Sequence, residues 1–183
     1  MRGPWARTGL ALALIVALSA LASVWADTAA QGAVEVGPHE AYQIVCEILE
    51  DESWMDDGVM HIRNRRLASV VISDHAAHAG TGTIVSNGDH DTQGGHMVYA
   101  GTLEIRPDAL DGYWAGSWSM VMDADGLRGQ AVLLGNGAFD GMYIVSAITP
   151  LPPAQLETFA YACGGRAPIA GTHAVGAYHR LRP

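Results

Sequence analysis

Eight histidines are the residues of this chain with the most obvious chemical potential, because imidazole nitrogens bind transition metals. His75 and His78 form an HxxH pair that follows Asp74 in a segment rich in alanine and glycine. Two histidines at this spacing converge on one ion only if the segment is helical, and no HExxH or other complete ligand set accompanies them. The pattern therefore predicts solvent-exposed loop histidines and no metal site.

Three oxygen-bearing side chains at every second position follow this loop in the sequence. Asn87, Asp89 and Asp91 have the spacing of an oxygen-ligand calcium loop. Thr92 stands where such a loop requires glycine, and no glutamate closes the ligand set. The dipeptide Asn87-Gly88 instead favours a tight hairpin turn. We therefore expect neither calcium nor any other cofactor here.

Candidates for acid–base chemistry lie on segments that we predict to be strands. His61, Glu104 and Tyr143 are of types that suit proton transfer. His61 shares a strand face with Arg63, and Glu104 shares one with Arg106, so cross-strand ion pairs on a solvated face account for both. No Gly-x-Ser-x-Gly motif accompanies them. The sequence thus identifies no catalytic residue and leaves open whether the protein is an enzyme.

The start of the chain predicts export. Two arginines precede the apolar run Leu10–Ala22, and compact residues at Val24 and Ala26 suit signal-peptidase cleavage. A run of thirteen residues is too short to cross a bilayer, which takes roughly 20. We therefore expect residues 1–26 to be a signal peptide. The mature protein would begin at Asp27, be secreted or periplasmic, and have no membrane span.

Composition excludes several classes of protein. The 183 residues are 49% hydrophobic, which suits one domain with a buried core and excludes a disordered chain. All ten basic residues are arginine, and without the first 26 residues eight of them stand against 19 acidic residues, a net charge of −11. Because no basic patch is available to displace counterions, we expect no nucleic-acid partner.

The two cysteines are predicted to form a disulfide. Cys46 lies near the start of the mature chain and Cys163 near its end. An even number of cysteines in an oxidising compartment favours pairing, and the alternative is two buried free thiols.

The middle of the chain has the pattern of antiparallel strands. Asp-Gly and Asn-Gly dipeptides recur, and large apolar residues alternate with small or polar ones between them. On two segments the inward faces are predicted to carry Met97, Tyr99, Leu103 and Ile105, and Trp114, Trp118, Met120 and Met122. Further strands are predicted at 42–49, 59–64, 67–73, 80–86, 127–135 and 139–149; the first of these also fits a helix. The fold class predicted is all-β, an antiparallel barrel of about eight strands.

The composition changes after Pro150. Pro152 and Pro153 suit a helix start, and Gly164 is placed to end the helix. We therefore place the barrel domain at 27–165, with a short C-terminal helix. Residues 166–183 form a C-terminal extension that is either a strand or a loose tail.

The segment Gly129–Gly141 has alternating apolar residues followed by Gly-x-Gly-x-Phe-x-Gly. It resembles the glycine-rich strand–turn–strand signature of allene oxide cyclase and dirigent β-barrels. The chain is also similar to bacterial secreted proteins that share Asp-Gly-Val-x-His-Ile-Arg, here Asp57–Arg63, and Trp-x-Gly-Ser-Trp, here Trp114–Trp118. The resemblance implies a β-barrel over residues 57–149 and implies no catalytic residue, because none of the plant enzymes' catalytic positions can be matched.

A barrel of this size either encloses a small ligand or is filled by its own side chains. Our first hypothesis is a binding or interaction module with a small apolar ligand, for which the lining residues are Met97, Tyr99, Trp114 and Trp118. The alternative is a cyclase-like or isomerase-like enzyme, which a desolvated histidine or glutamate in the pocket would favour. Association into a homo-oligomer through the outer strands is a third option.

Overall fold

The computed structural model describes residues 33–124 and 126–181, so the predicted signal peptide lies outside the described residues. Within the described part, eight antiparallel strands pair in sequence order and form one closed barrel, which confirms the predicted fold class. The strands are β1 Ala33–Asp56, β2 Val59–Ile72, β3 Gly80–Asp91, β4 Met97–Pro107, β5 Gly112–Asp123, β6 Gly126–Gly137, β7 Met142–Pro150 and β8 Ala170–Leu181.

Strand β2 is continuous, although the sequence predicts two separate strands there. The register between β2 and β3 shifts between Ile62 and Arg65, so Arg63 and Asn64 lie opposite the single residue Asn87. Asn64 has a φ of 50°, and its backbone N–H donates to the side-chain oxygen of Asn87 at 2.9 Å. The predicted turn at Asn87-Gly88 is therefore wrong: this asparagine satisfies a β-bulge in the neighbouring strand.

The guanidinium of Arg63 fills the remainder of this bulge. Its Nη1 donates to the carbonyl oxygens of Ile62 and Gly88, at 2.7 and 2.6 Å. In a regular β-ladder these two carbonyl oxygens would accept from backbone N–H groups. At the bulge they accept from the Arg63 side chain instead. This is why β2 and β3 continue through a register shift that the sequence pattern marks as a break.

Residues 170–181, within the predicted C-terminal extension, belong to the barrel. Strand β8 pairs with β7 along its length, from Thr172 opposite Pro150 to Arg180 opposite Met142. Because most residues of β8 are small, the sequence shows no alternation of large and small side chains there. At Gly176 any side chain would collide with the backbone of Val145. The predicted C-terminal extension therefore contains the strand that completes the barrel.

A short strap connects β7 to β8 across the outside of β1. It contains helix α1, Pro153–Glu157, and a 3₁₀ helix, Ala160–Cys163, which Gly164 ends in the left-handed conformation at φ 65°, as predicted. Cys163 is bonded to Cys46 with their Cα atoms 5.2 Å apart, which confirms the disulfide. Ile44 is fully buried beneath the strap, while Val45 points into the barrel. Burial on both faces explains why the pattern at 42–49 is ambiguous.

The two ends of the barrel differ. The connections β2–β3, β4–β5 and β6–β7 form one end, which we call the closed end because large aromatic side chains fill it. Trp114 is fully buried there, stacks on Phe139 with ring centroids 4.7 Å apart, and donates its Nε1–H to the carbonyl of Ala77 at 2.7 Å. The other connections form the open end. Among the described residues no helix has the length and apolarity needed to cross a membrane.

Candidate functional site

A cavity of about 290 Å³ occupies the half of the barrel nearer the open end and is partly open to solvent. Apolar side chains make most of its wall, including Leu67, Met97, Leu103, Trp118, Met120 and Ile148. The inward faces of β4 and β5 supply several of them, because Met97 and Tyr99 begin β4 just after an open-end turn and pair with Met122 and Met120. The alternation predicted from the sequence thus places these side chains inside.

Glycine makes room for the aromatic part of the wall. Gly88 of β3 lies directly opposite Tyr99 of β4. A Cβ atom at Gly88 would overlap the tyrosine ring, so only glycine permits this packing. The position of Tyr99 in the cavity wall therefore depends on a residue of the neighbouring strand.

Among the described residues that line the cavity, Arg65 is the charged one. Its Nε and Nη2 donate to the two carboxylate oxygens of Asp51, each at 2.9 Å. The hydrogen bond from Arg65 holds the pKa of Asp51 below its ordinary value, so Asp51 is ionised at neutral pH. The guanidinium consequently has its charge balanced and two of its nitrogens already engaged.

The other polar groups in the wall are neutral. Gln43 donates its side-chain amide to the Ser69 hydroxyl at 3.2 Å, and Ser86 and Thr172 contribute hydroxyls. Burial raises the pKa of Tyr99, which keeps the phenol protonated at neutral pH. The indole Nε1–H of Trp118 is buried and has no acceptor among the described residues. The site therefore combines apolar surface with a small number of hydrogen-bonding groups.

Three of the four residues predicted to line a ligand site do line the cavity: Met97, Tyr99 and Trp118. Trp114 does not. It faces inward as predicted, but it lies four positions before Trp118 along β5, about 13 Å at the usual rise, which puts it in the closed end.

The sequence does not identify Arg65 as a cavity residue. Regular alternation from the inward Ile62 would predict that Asn64 and Arg66 also face inward. Because the bulge adds one residue, Arg65 and Leu67 face inward instead. Nothing in the local pattern signals the bulge except the asparagine opposite it on β3.

His75 and His78 occupy different environments. His78 is buried in the closed end, so its predicted exposure is wrong, whereas His75 is exposed. The loop turns inward, with the backbone N–H of His78 donating to the carbonyl of His75 at 2.9 Å. The ring of His78 stacks on that of His39 at 4.2 Å, and its Nδ1 lies 3.4 Å from the Tyr178 hydroxyl. These histidines pack the closed end and do not line the cavity.

Burial alters the titration of both stacked rings. It lowers the pKa of His39 to about 4, with a smaller contribution from the charge of His75. It lowers the pKa of His78 to about 3, with smaller contributions from the charges of His39 and His75. Within residues 33–124 and 126–181, no three or more His, Cys, Asp or Glu side chains are arranged to hold a metal ion.

The carboxylates with calcium-like spacing have separate functions. Asp89 accepts from His61 at 2.7 Å and from Arg63 at 2.8 Å on the outer face of the barrel. Burial raises the pKa of Asp89, but these hydrogen bonds outweigh it and lower the pKa overall. Asp91 accepts from the backbone N–H groups of Gln93 and Gly94 and so shapes the β3–β4 turn.

The remaining acid–base candidates also lie away from the cavity. Glu104 pairs with Arg106 of the same strand at 2.8 Å, and the ring of Tyr143 stacks on His179 at 4.8 Å. The pair at Glu104 is thus within one strand, whereas that between His61 and Asp89 joins two strands.

No protein-family model, curated protein or solved structure matches this chain. The cavity and the groups around it are therefore the observations that bear on function.

Proposed function

We propose that this protein is an exported β-barrel binding module that holds a small apolar ligand in the cavity of its open half. The observation that carries the proposal is the cavity itself, about 290 Å³ with a largely apolar wall. This is near the lower end of the range, about 300–1,000 Å³, in which small-molecule sites are found. Filling it removes apolar surface of both ligand and protein from water, which favours binding.

The composition of the wall favours binding over proton transfer. None of the described residues that line the cavity is a histidine, aspartate or glutamate. A cyclase-like or isomerase-like enzyme would need a group that exchanges protons near neutral pH next to its substrate. The buried histidines that could have met this need, His39 and His78, pack against aromatic rings at the closed end.

Two observations support export as part of the proposal. The Cys46–Cys163 disulfide suits an oxidising compartment, and the first 26 residues have the pattern of a signal peptide. A relationship to allene oxide cyclase and dirigent barrels is part of the same proposal and concerns fold alone.

Titration of the secreted protein with tetralin, a bicyclic hydrocarbon, tests the proposal. Isothermal calorimetry should give saturable binding of one molecule per chain, with a Kd on the order of ten micromolar for a ligand of this size. Trp118 lies in the wall, so its fluorescence should change over the same concentration range.

Two leucine variants make a matched pair for this experiment. Ser86→Leu extends a side chain into the cavity, whereas Ser117→Leu places the same side chain on the exposed outer face. We expect Ser86→Leu to weaken tetralin binding by about tenfold or more through lost space, and Ser117→Leu to bind like the wild type. Absence of binding to the wild type, or equal binding by both variants, would contradict the proposed function.

A further inference from the structure

Charged side chains are unevenly distributed over the outer surface of the barrel. On β1–β4 outward residues form ion pairs, such as Arg66 with Glu50 and Arg106 with Glu104. In the middle of β5–β8, eight outward residues form two adjacent rows across the four strands, and none of them is charged. We call these two rows the neutral face. The first row is Ser117, Val132, Val145 and Ala177, and the second runs from Ser119 on β5 to Val175 on β8.

The neutral face is part of the accessible surface, so its lack of charge is informative. None of the eight residues is buried; Val175 is 50% exposed, and Leu134, beside the first row, is 56% exposed. At the about 25–35% charged residues of a typical surface, eight positions would carry about two or three charges. Depletion of charge is instead typical of the core of a protein–protein interface. The composition of the neutral face therefore indicates contact with a protein.

The side chains of the neutral face limit what its partner can be. Most of them are serine, alanine or valine, which are short, so a second sheet can approach to about 10 Å, the usual distance between packed sheets. Among these eight residues no carboxylate, guanidinium or ammonium group is present to recognise a charged partner. The surface that fits is therefore another flat and uncharged sheet.

A second copy of this chain has such a surface. Without residues 1–26 each copy has a net charge of −11, so two copies repel each other wherever their carboxylates meet. They approach at the lowest electrostatic cost through the neutral face, where neither copy contributes a carboxylate. A two-fold axis through the face brings the same residues of both copies together.

We propose that this protein forms a dimer through the neutral faces of two copies, with Val132 near the two-fold axis. This inference goes beyond the proposed function and does not depend on the cavity.

The size of the neutral face sets the strength of the dimer. With Ala115 and Leu134 at its border, it covers about 20 Å across four strands and about 20 Å along them, at the usual strand spacing and rise. The resulting area, about 400 Å² on each copy, is half of the roughly 800 Å² per partner that a stable complex buries. We therefore expect a weak dimer, with a Kd on the order of 100 µM.

Sedimentation equilibrium of the secreted wild-type protein, from about 10 µM to about 1 mM, measures this association. The average mass should rise from that of one chain towards that of two. Salt at about 0.5 M screens the repulsion between the copies, so the dimer should be about two- to fivefold tighter than at about 0.05 M. A dimer that salt weakens would be held by ion pairs and would contradict the proposal.

Two glutamate variants make a matched pair for this measurement. Val132→Glu places a charge at the centre of the neutral face, against the same charge of the other copy, and should weaken the dimer at least about tenfold. Val85→Glu is the control, because Val85 is also half-buried and outward but lies on β3 opposite Arg66, outside the neutral face. Val85→Glu should associate like the wild type.

A mixing experiment tests whether the face meets its own counterpart. An equimolar mixture of Val132→Glu and Val132→Lys should form a mixed dimer at least about tenfold tighter than the dimer of either variant alone, because opposite charges then meet at the axis. A mixture that associates no better than its components would mean that Val132 does not face Val132, and would contradict the proposal.

The wild type and the glutamate variants decide the rest. A wild-type protein that is monomeric at about 1 mM overturns the proposal, and so does a dimer that Val132→Glu leaves intact, since it would use another surface. If Val132→Glu fails to fold, Leu134→Glu takes its place at a position that is 56% exposed, and should weaken the dimer about threefold or more.

Discussion

Acid should destabilise this protein through its closed end, well above the pH at which carboxylates become protonated. His39 and His78 are neutral in the folded barrel, with pKa values of about 4 and about 3, against 6.5 for an ordinary histidine. Both folded pKa values are lowered, so the unfolded chain binds more protons as the pH falls below 6.5. Stability is therefore complete above that pH and declines as the pH approaches the folded pKa values.

The loss of unfolding free energy at about pH 5 depends chiefly on the unfolded chain, in which a histidine has its ordinary pKa of 6.5. Protonating one such histidine at about pH 5 favours unfolding by about 2 kcal/mol when the folded ring stays neutral. His78 and His39 should each contribute close to this amount, because both side chains are only 2% exposed and both folded pKa values lie below pH 5.

Urea unfolding at about pH 7.5 and about pH 5 measures this loss in the wild type and in His78→Phe. The substitution removes a titratable ring from between His39 and Trp114 and keeps an aromatic one. Any packing cost is present at both pH values and cancels in the difference. The variant should therefore lose about 2 kcal/mol less than the wild type between the two conditions.

Phe139→Leu is the control. It loosens the same closed end, where Phe139 stacks on Trp114, and leaves both histidines in place. It should lose as much free energy of unfolding between the two pH values as the wild type does. If His78→Phe loses as much as Phe139→Leu, the buried imidazoles do not set the acid sensitivity and the reasoning is refuted.

Three further predictions concern packing, the disulfide and export. Trp114→Ala should lower the free energy of unfolding by about 3 to 5 kcal/mol in urea titrations, and more than Trp118→Ala, because the Trp118 side chain already borders a cavity. Replacing Cys46 and Cys163 together by alanine should cost up to about 4 to 5 kcal/mol, given the 117-residue separation, and an unchanged melting temperature would exclude this contribution. Intact-mass measurement should show that the secreted protein starts at Asp27.

The fold is largely predictable because most strands have one apolar face. Trp114, Trp118 and Met120 alternate with small residues, and this period of two fixes which side chains face inward. Strand β8 has no such contrast, and at Gly176 the close approach of the β7 backbone leaves no room for a side chain. Alternation of large and small residues therefore identifies the strands whose large side chains fill the barrel. It does not identify β8, whose residues are mostly small.

The candidate site is predictable only in part. Met97, Tyr99 and Trp118 follow from alternation, but alternation does not say how far along the axis each residue lies or what fills the space opposite it. The sequence therefore assigns Trp114 to the same site, although Phe139 and Tyr178 pack around it at the other end. The presence of a cavity depends on all eight strands together.

The bulge in β2 has a consequence for how this strand would respond to the loss of one residue. Ile62 faces inward before it and Arg65 after it, so the inward positions change from even to odd numbers between them. Removing Asn64 would restore a regular ladder and leave every other residue of β2 on its present face. Deletion of Asn64 should therefore leave the lining of the cavity unchanged, and the side-chain oxygen of Asn87 would lose the backbone N–H from which it accepts.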